Sequence, residues 1–107
     1  MDNILQGTTP TLTISIDPTD FSVSDLTGFE LRIGQQSTVT IYSLSDVTID
    51  PVENTVSYLF TEAETLALIP DILLAYQCRF FFADGNICGT DLMYLNVNDL
   101  MGSGVSK

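Results

Sequence analysis

Asp71-Ile72-Leu73-Leu74-Ala75-Tyr76-Gln77-Cys78-Arg79-Phe80-Phe81-Phe82 runs into Ala83-Asp84-Gly85-Asn86. It leaves again through Ile87-Cys88-Gly89-Thr90-Asp91-Leu92-Met93-Tyr94-Leu95-Asn96-Val97. Two long apolar runs around an Asp-Gly pair predict a β-hairpin, because Asp-Gly supplies the positive φ angles of a tight turn. Centring the turn on Asp84-Gly85 sets Phe82 opposite Ile87, Phe80 opposite Gly89 and Cys78 opposite Asp91. Strand side chains alternate, so Tyr76, Cys78, Phe80 and Phe82 share a face with Ile87, Met93, Leu95 and Val97. A face this wide and apolar requires a second layer over it.

Upstream of the hairpin the period changes. Thr61-Glu62-Ala63-Glu64 is a capping box, and the Ala- and Leu-rich residues that follow favour a short helix over 61–68, stopped by Pro70. Before the helix, five segments carry strand patterns. Thr11-Leu12-Thr13-Ile14-Ser15-Ile16 alternates cleanly, with Leu12, Ile14 and Ile16 inward. Phe29, Leu31 and Ile33 alternate with Glu30 and Arg32. In Thr38-Val39-Thr40-Ile41-Tyr42 the apolar Val39 and Ile41 are expected inward. Val47-Thr48-Ile49-Asp50 is short, and Thr55 to Phe60 puts Val56, Tyr58 and Phe60 on one side. Phe21, Val23 and Leu26 read as anchors in the polar connection 17–28. Seven short strands with one small helix before the last hairpin predict an all-β fold, an immunoglobulin-like antiparallel sandwich. The expected division is an arm over 1–9, the sandwich over 10–100 and a flexible tail over 101–107.

A chain of 107 residues, 45% of them hydrophobic, is one domain able to bury a core. With 14 acidic and 3 basic residues its net charge is −11, which disfavours nucleic acid and anionic membranes. Only 16% of residues are charged, against an average near 25%, so some apolar surface should be left for protein contact. No positively charged leader with a long apolar stretch is visible at Met1-Asp2-Asn3-Ile4-Leu5, so synthesis in the cytoplasm without a signal peptide is expected.

Candidate chemistry is thin. There is no histidine, which removes the commonest general base and metal ligand, and the triads built on it. Asp17, Asp20 and Asp25 could ligate calcium through oxygen, but they miss the EF-hand spacing, and solvated turn residues are the preferred reading. Glu62 and Glu64 are explained by capping and the helix dipole rather than by acid–base catalysis. In the hairpin register Cys78 and Cys88 point to opposite faces, so both are expected free, with Cys78 a small hydrophobe. Asp91 either bulges outward near Gly89 or is buried and paired, and the bulge is preferred. No catalytic residue, cofactor or metal is expected.

Three segments carry a resemblance: Gln6-Gly7-Thr8-Thr9-Pro10-Thr11-Leu12-Thr13, Asp25-Leu26-Thr27-Gly28-Phe29, and Leu59-Phe60-Thr61-Glu62-Ala63-Glu64-Thr65-Leu66. Together they resemble a group of small phage and prophage structural proteins in which the fifth strand also runs into a short helix of threonine, glutamate and leucine. That group is similar in plan to the immunoglobulin-like N-terminal domain of siphophage baseplate upper proteins. The resemblance spans Gln6 to about Leu100. It implies a non-enzymatic virion component of head, neck, tail or baseplate, in contact with other virion proteins or with its own copies. Relatives usually carry more Lys and Gln on the outer strands, and this more acidic, more apolar chain is expected to pack tightly against neighbours. The expected contacts are Ile4, Leu5, Leu100 and Met101, apolar residues outside the anticipated core. The alternative is a module binding carbohydrate or a host surface, which needs exposed aromatics or a calcium loop. Tyr76, Phe80 and Phe82 could stack on sugars if exposed, but alternating with Gln77 and Arg79 they are read as core.

Overall fold

Alternation sets the phase of most strands, and the computed structural model, which describes residues 3–99, shows where it does and does not. In chain order the strands are β1 (Asn3–Leu5), β2 (Thr11–Ser15), β3 (Leu26–Gln35), β4 (Thr38–Ser43), β5 (Thr48–Asp50) and β6 (Thr55–Leu59). The helix α1 (Glu62–Leu66) follows, then β7 (Leu74–Phe82), β8 (Ile87–Gly89) and β9 (Met93–Asn98). One sheet runs β1-β9-β7-β3-β4, with β8 also on β7, and the other runs β2-β6-β5. The two pack as an immunoglobulin-like sandwich, β2, β6 and β5 taking the places of strands B, E and D, and the larger sheet those of G, F, C and C′.

The core forms where the inward faces meet. Leu12, Ile14, Val56, Tyr58 and Phe60 of the β2–β6 side bury against Phe29, Leu31, Ile33, Leu74, Cys78, Phe80 and Leu95. Phe21 stacks on both Phe80 and Phe82, at 5.0 and 5.1 Å between ring centroids, so the polar connection is anchored as its sequence suggests. Val23 is buried and Leu26 half-buried. The capping box of α1 is formed, Thr61 accepting from the Glu64 amide while Glu64 accepts from the Thr61 amide.

Polar side chains inside this core act as clamps on loops. Asn54 sits in a left-handed turn at φ 56°. Its Oδ1 accepts from the Val23 amide at 2.8 Å, and its Nδ2 donates to the Ile16 and Phe21 carbonyls, each at 2.9 Å. Gln35 donates to the carbonyls of Ile69 and Ile72 and accepts from the Ile69 amide, which pins the α1–β7 connection. The Thr65 hydroxyl donates to the Thr8 carbonyl at 2.8 Å.

Four expectations need correction. Ile4 lies in β1, parallel to β9 and opposite Val97, and is 0% exposed, so it belongs to the core and not to a loose contact. Val39 and Ile41 face outward. A two-residue turn at Gln36–Ser37 pairs Gln35 with Thr38, which puts Val39 opposite Gly34 and Ile41 opposite Arg32. The hairpin after β7 has a three-residue loop. The Gly85 amide donates to the Phe82 carbonyl, the Phe82 amide donates to Asn86, and Gly85 takes φ 88°, the left-handed position such a loop requires. Ile87 therefore pairs with Phe81 on the outer face, not with Phe82. The same shift sets Cys88 opposite Phe80, on the side of Cys78, although Cys88 is exposed and both thiols are free. Between β8 and β9 the register returns by one residue, and Asp91 is exposed in that irregularity, as the bulge reading expects.

Candidate interaction surface

The surface is the outer face of the larger sheet. The β3–β4 turn decides it, because reversing the phase of β4 carries two β-branched side chains to solvent, Val39 at 55% and Ile41 at 54% exposure. Six of the eleven large apolar side chains left exposed among the described residues lie here: Val39, Ile41, Leu73, Ile87, Leu92 and Tyr94. That concentration separates the face from scattered surface hydrophobes, which need no explanation. Across the strands one row reads Tyr94, Ala75, Gly34, Val39. Large side chains at its edges and small ones between them form a shallow groove of about 340 Å³, walled by Leu73, Leu92, Tyr94 and Val39. The floor is bare for a backbone reason. A Cβ at Gly34 would stand 2.4 Å from the Thr38 carbonyl oxygen, so no larger residue fits.

Charge on this face is confined to one network. Arg79 holds Glu30 across the strand pair with two 3.1 Å hydrogen bonds, and Arg32 donates to Glu30 at 2.6 Å. Hydrogen bonds from Arg79 first, then Arg32, hold the Glu30 carboxyl down to about 2. The Arg79 guanidinium also lies 5.2 Å over the Phe81 ring. Glu30, Arg32 and Arg79 are the charged residues that point outward from these strands, so the face is net +1 on a chain of −11.

The other candidates lie apart from this face. Leu5 is exposed at 42%, while Leu100 and Met101 fall outside the described residues. Asp17, Asp20 and Asp25 are exposed, and Asp17 accepts from the amide and hydroxyl of Thr19, which lower its pKa. Among the described residues no group of three or more metal-ligating side chains comes together. Tyr58 and Tyr42 both donate to Glu64. Burial pushes the Glu64 carboxyl up, but these bonds and those from Thr61 outweigh it and hold it below its ordinary value. Burial and then the nearby Glu64 raise Tyr58 strongly, and the cluster ties α1 to β4 and β6. Cys78 is a protonated core thiol, pushed up to about 12 by burial against the hydrogen bond from Thr90. Phe80 is buried and Tyr76 and Phe82 half-buried, so they form no open aromatic platform. No described helix is long and apolar enough to cross a membrane.

Alternation alone conceals this surface, because it assigns the apolar side of every strand to the core. The signal that could have found it was in Ile33-Gly34-Gln35-Gln36-Ser37-Thr38: a two-residue turn at Gln36-Ser37 forces Val39 to the side opposite Ile33. The chain matches no protein-family model and no curated protein.

Proposed function

We propose that this chain is a non-enzymatic structural component of a phage or prophage particle, held in place by protein–protein contact through the outer face of its larger sheet. The observation that carries the contact reading is the cluster of exposed apolar side chains on that face, around an ion network already closed on itself. Such a patch is costly to leave in water and is the ordinary mark of a contact surface. The resemblance of the Gln6–Thr13, Asp25–Phe29 and Leu59–Leu66 segments supports the virion setting. The test is an immunoblot with antibody raised against the purified chain, across a density gradient of particles from an induced culture of the source strain. Co-banding at a constant ratio to the major capsid protein is expected. Confinement to the particle-free lysate refutes the reading.

A second reading, glycan binding, is favoured by one cleft. Phe21 and Phe82 line an opening of about 520 Å³ together with Asp20, Asp25, Asp84 and Asn86. Aromatic edges beside carboxylates and an amide suit a sugar ring. Shifts of the Phe21 and Asn86 NMR signals on titration with oligosaccharides would support it, and unchanged spectra would exclude it.

A further inference from the structure

We infer that the outer face of the larger sheet is a self-interface, on which a second copy of this chain packs face to face about a two-fold axis. The inference rests on the contact reading above and names its partner. Shape points to a copy. A raised Tyr94 stands beside a groove floored by Ala75 and Gly34, so one face carries both a knob and its hole. A two-fold axis beside β9 sets each Tyr94 into the other chain's groove, which is the reciprocal contact an isologous interface requires.

Charge points the same way. The face is net +1, and both its arginines are bonded to Glu30, so it offers only one unit of excess charge to an acidic partner. Everywhere else the chain is strongly acidic, with a net charge of −11 overall. Two copies therefore meet at least electrostatic cost through this face, with their remaining carboxylates turned away and screened over a Debye length of about 8 Å at physiological salt. The area suffices for a weak dimer. Strands of three, six, nine, ten and six residues (β1, β9, β7, β3 and β4), at about 3.4 Å per residue and about 4.8 Å apart, give a footprint of roughly 550 Å² per chain. Two such faces clear the total of roughly 1,000 Å² that a biological interface needs.

The experiment is sedimentation equilibrium of the full chain over a range of concentrations, at low and at physiological NaCl. A monomer–dimer equilibrium is expected, and it tightens as salt screens the net charge. Tyr94→Glu and Leu92→Glu, both at exposed positions, are each expected to weaken the dimer by about 30-fold or more, the size of a hot-spot loss. Far-UV circular dichroism checks that the variants keep the fold. A monomer at millimolar concentration overturns the inference, as does a ring of three or more chains, or a dimer unmoved by both variants. Edge-to-edge pairing of β4 would give that last result. A monomer that still co-bands with particles overturns the self-interface alone. A face-dependent dimer absent from particles supports the self-interface and overturns the virion reading.

Discussion

Replacing Ile4 with alanine tests whether the first strand belongs to the domain. The side chain is 0% exposed and lies opposite Val97. Deleting three carbons removes about 2.4 kcal/mol of transfer free energy at about 0.8 kcal/mol per methylene. The cavity left behind places buried Ile→Ala changes at about 2–5 kcal/mol. Two features pull toward the lower half of that range. β1 has only three residues, and it lies at the edge of its sheet, where the chain can shift inward to fill space. The expected loss is about 3 kcal/mol, from a domain whose total stability at this length is roughly 5–15 kcal/mol. Urea-induced unfolding measures it through the shift in midpoint at constant m. Hydrogen exchange adds a local reading. The Gln6 amide, which donates to the Asn98 carbonyl at 3.1 Å, should lose protection before the amides of β6. A loss below about 0.5 kcal/mol would mean that the segment is a dispensable arm, and the packing argument would fail.

Asn54→Ala leaves the buried Val23 amide and two carbonyls without partners and keeps a Cβ at positive φ without the polar side chain that makes Asn tolerant there, so it should cost about 3–4 kcal/mol. Asn54→Gly loses the same three hydrogen bonds but relieves the left-handed strain, so it should be milder than alanine by about 1 kcal/mol in the same urea assay. Glu30 and Glu64 are both held below their unfolded value of 4.5, so the unfolded chain binds more protons in acid. Their contribution is present above that value and is lost as pH falls below it, for Glu30 as pH passes through about 2. Glu30→Gln should flatten that part of the stability profile, measured by thermal melts between pH 2 and 5. Cys88 should react with a thiol reagent in the native protein and Cys78 only after denaturation, one thiol and then two by mass spectrometry.

How much of this was legible in the sequence depends on where each residue's partner lies. β2, β3 and β6 read correctly because each has one buried face and one polar face, so period alone gives their phase. The capping box of α1 is local and could be read outright. β4 could not be read that way, because both of its faces carry β-branched or aromatic residues and only its pairing to β3 sets the phase. Ile87 was misplaced by a loop one residue longer than the Asp-Gly pair suggests. Ile4 was unreadable for a different reason: its partner, Val97, lies at the far end of the chain, and three residues are too few to show a period. The candidate surface inherited these errors, since Val39, Ile41 and Ile87 were all assigned to the inside. Asn54 is polar and sits in a turn, and nothing local marks it as the clamp of two other loops.

The β4 edge has a consequence for how the protein behaves in bulk. Thr38 to Ser43 is an open row of backbone donors and acceptors with no lysine, no proline and no charge of its own. Proteins ordinarily blunt such an edge on the spot. Here the protection is collective: every molecule carries the same large negative charge, and it keeps open edges from meeting. A guard of that kind is set by the medium and not by the strand. It weakens with added salt and vanishes near the isoelectric point of about 4.1, where edge-to-edge association of the folded protein is expected to compete. Colloidal stability and correct assembly would then be governed by a single quantity, the net charge of the surface carboxylates.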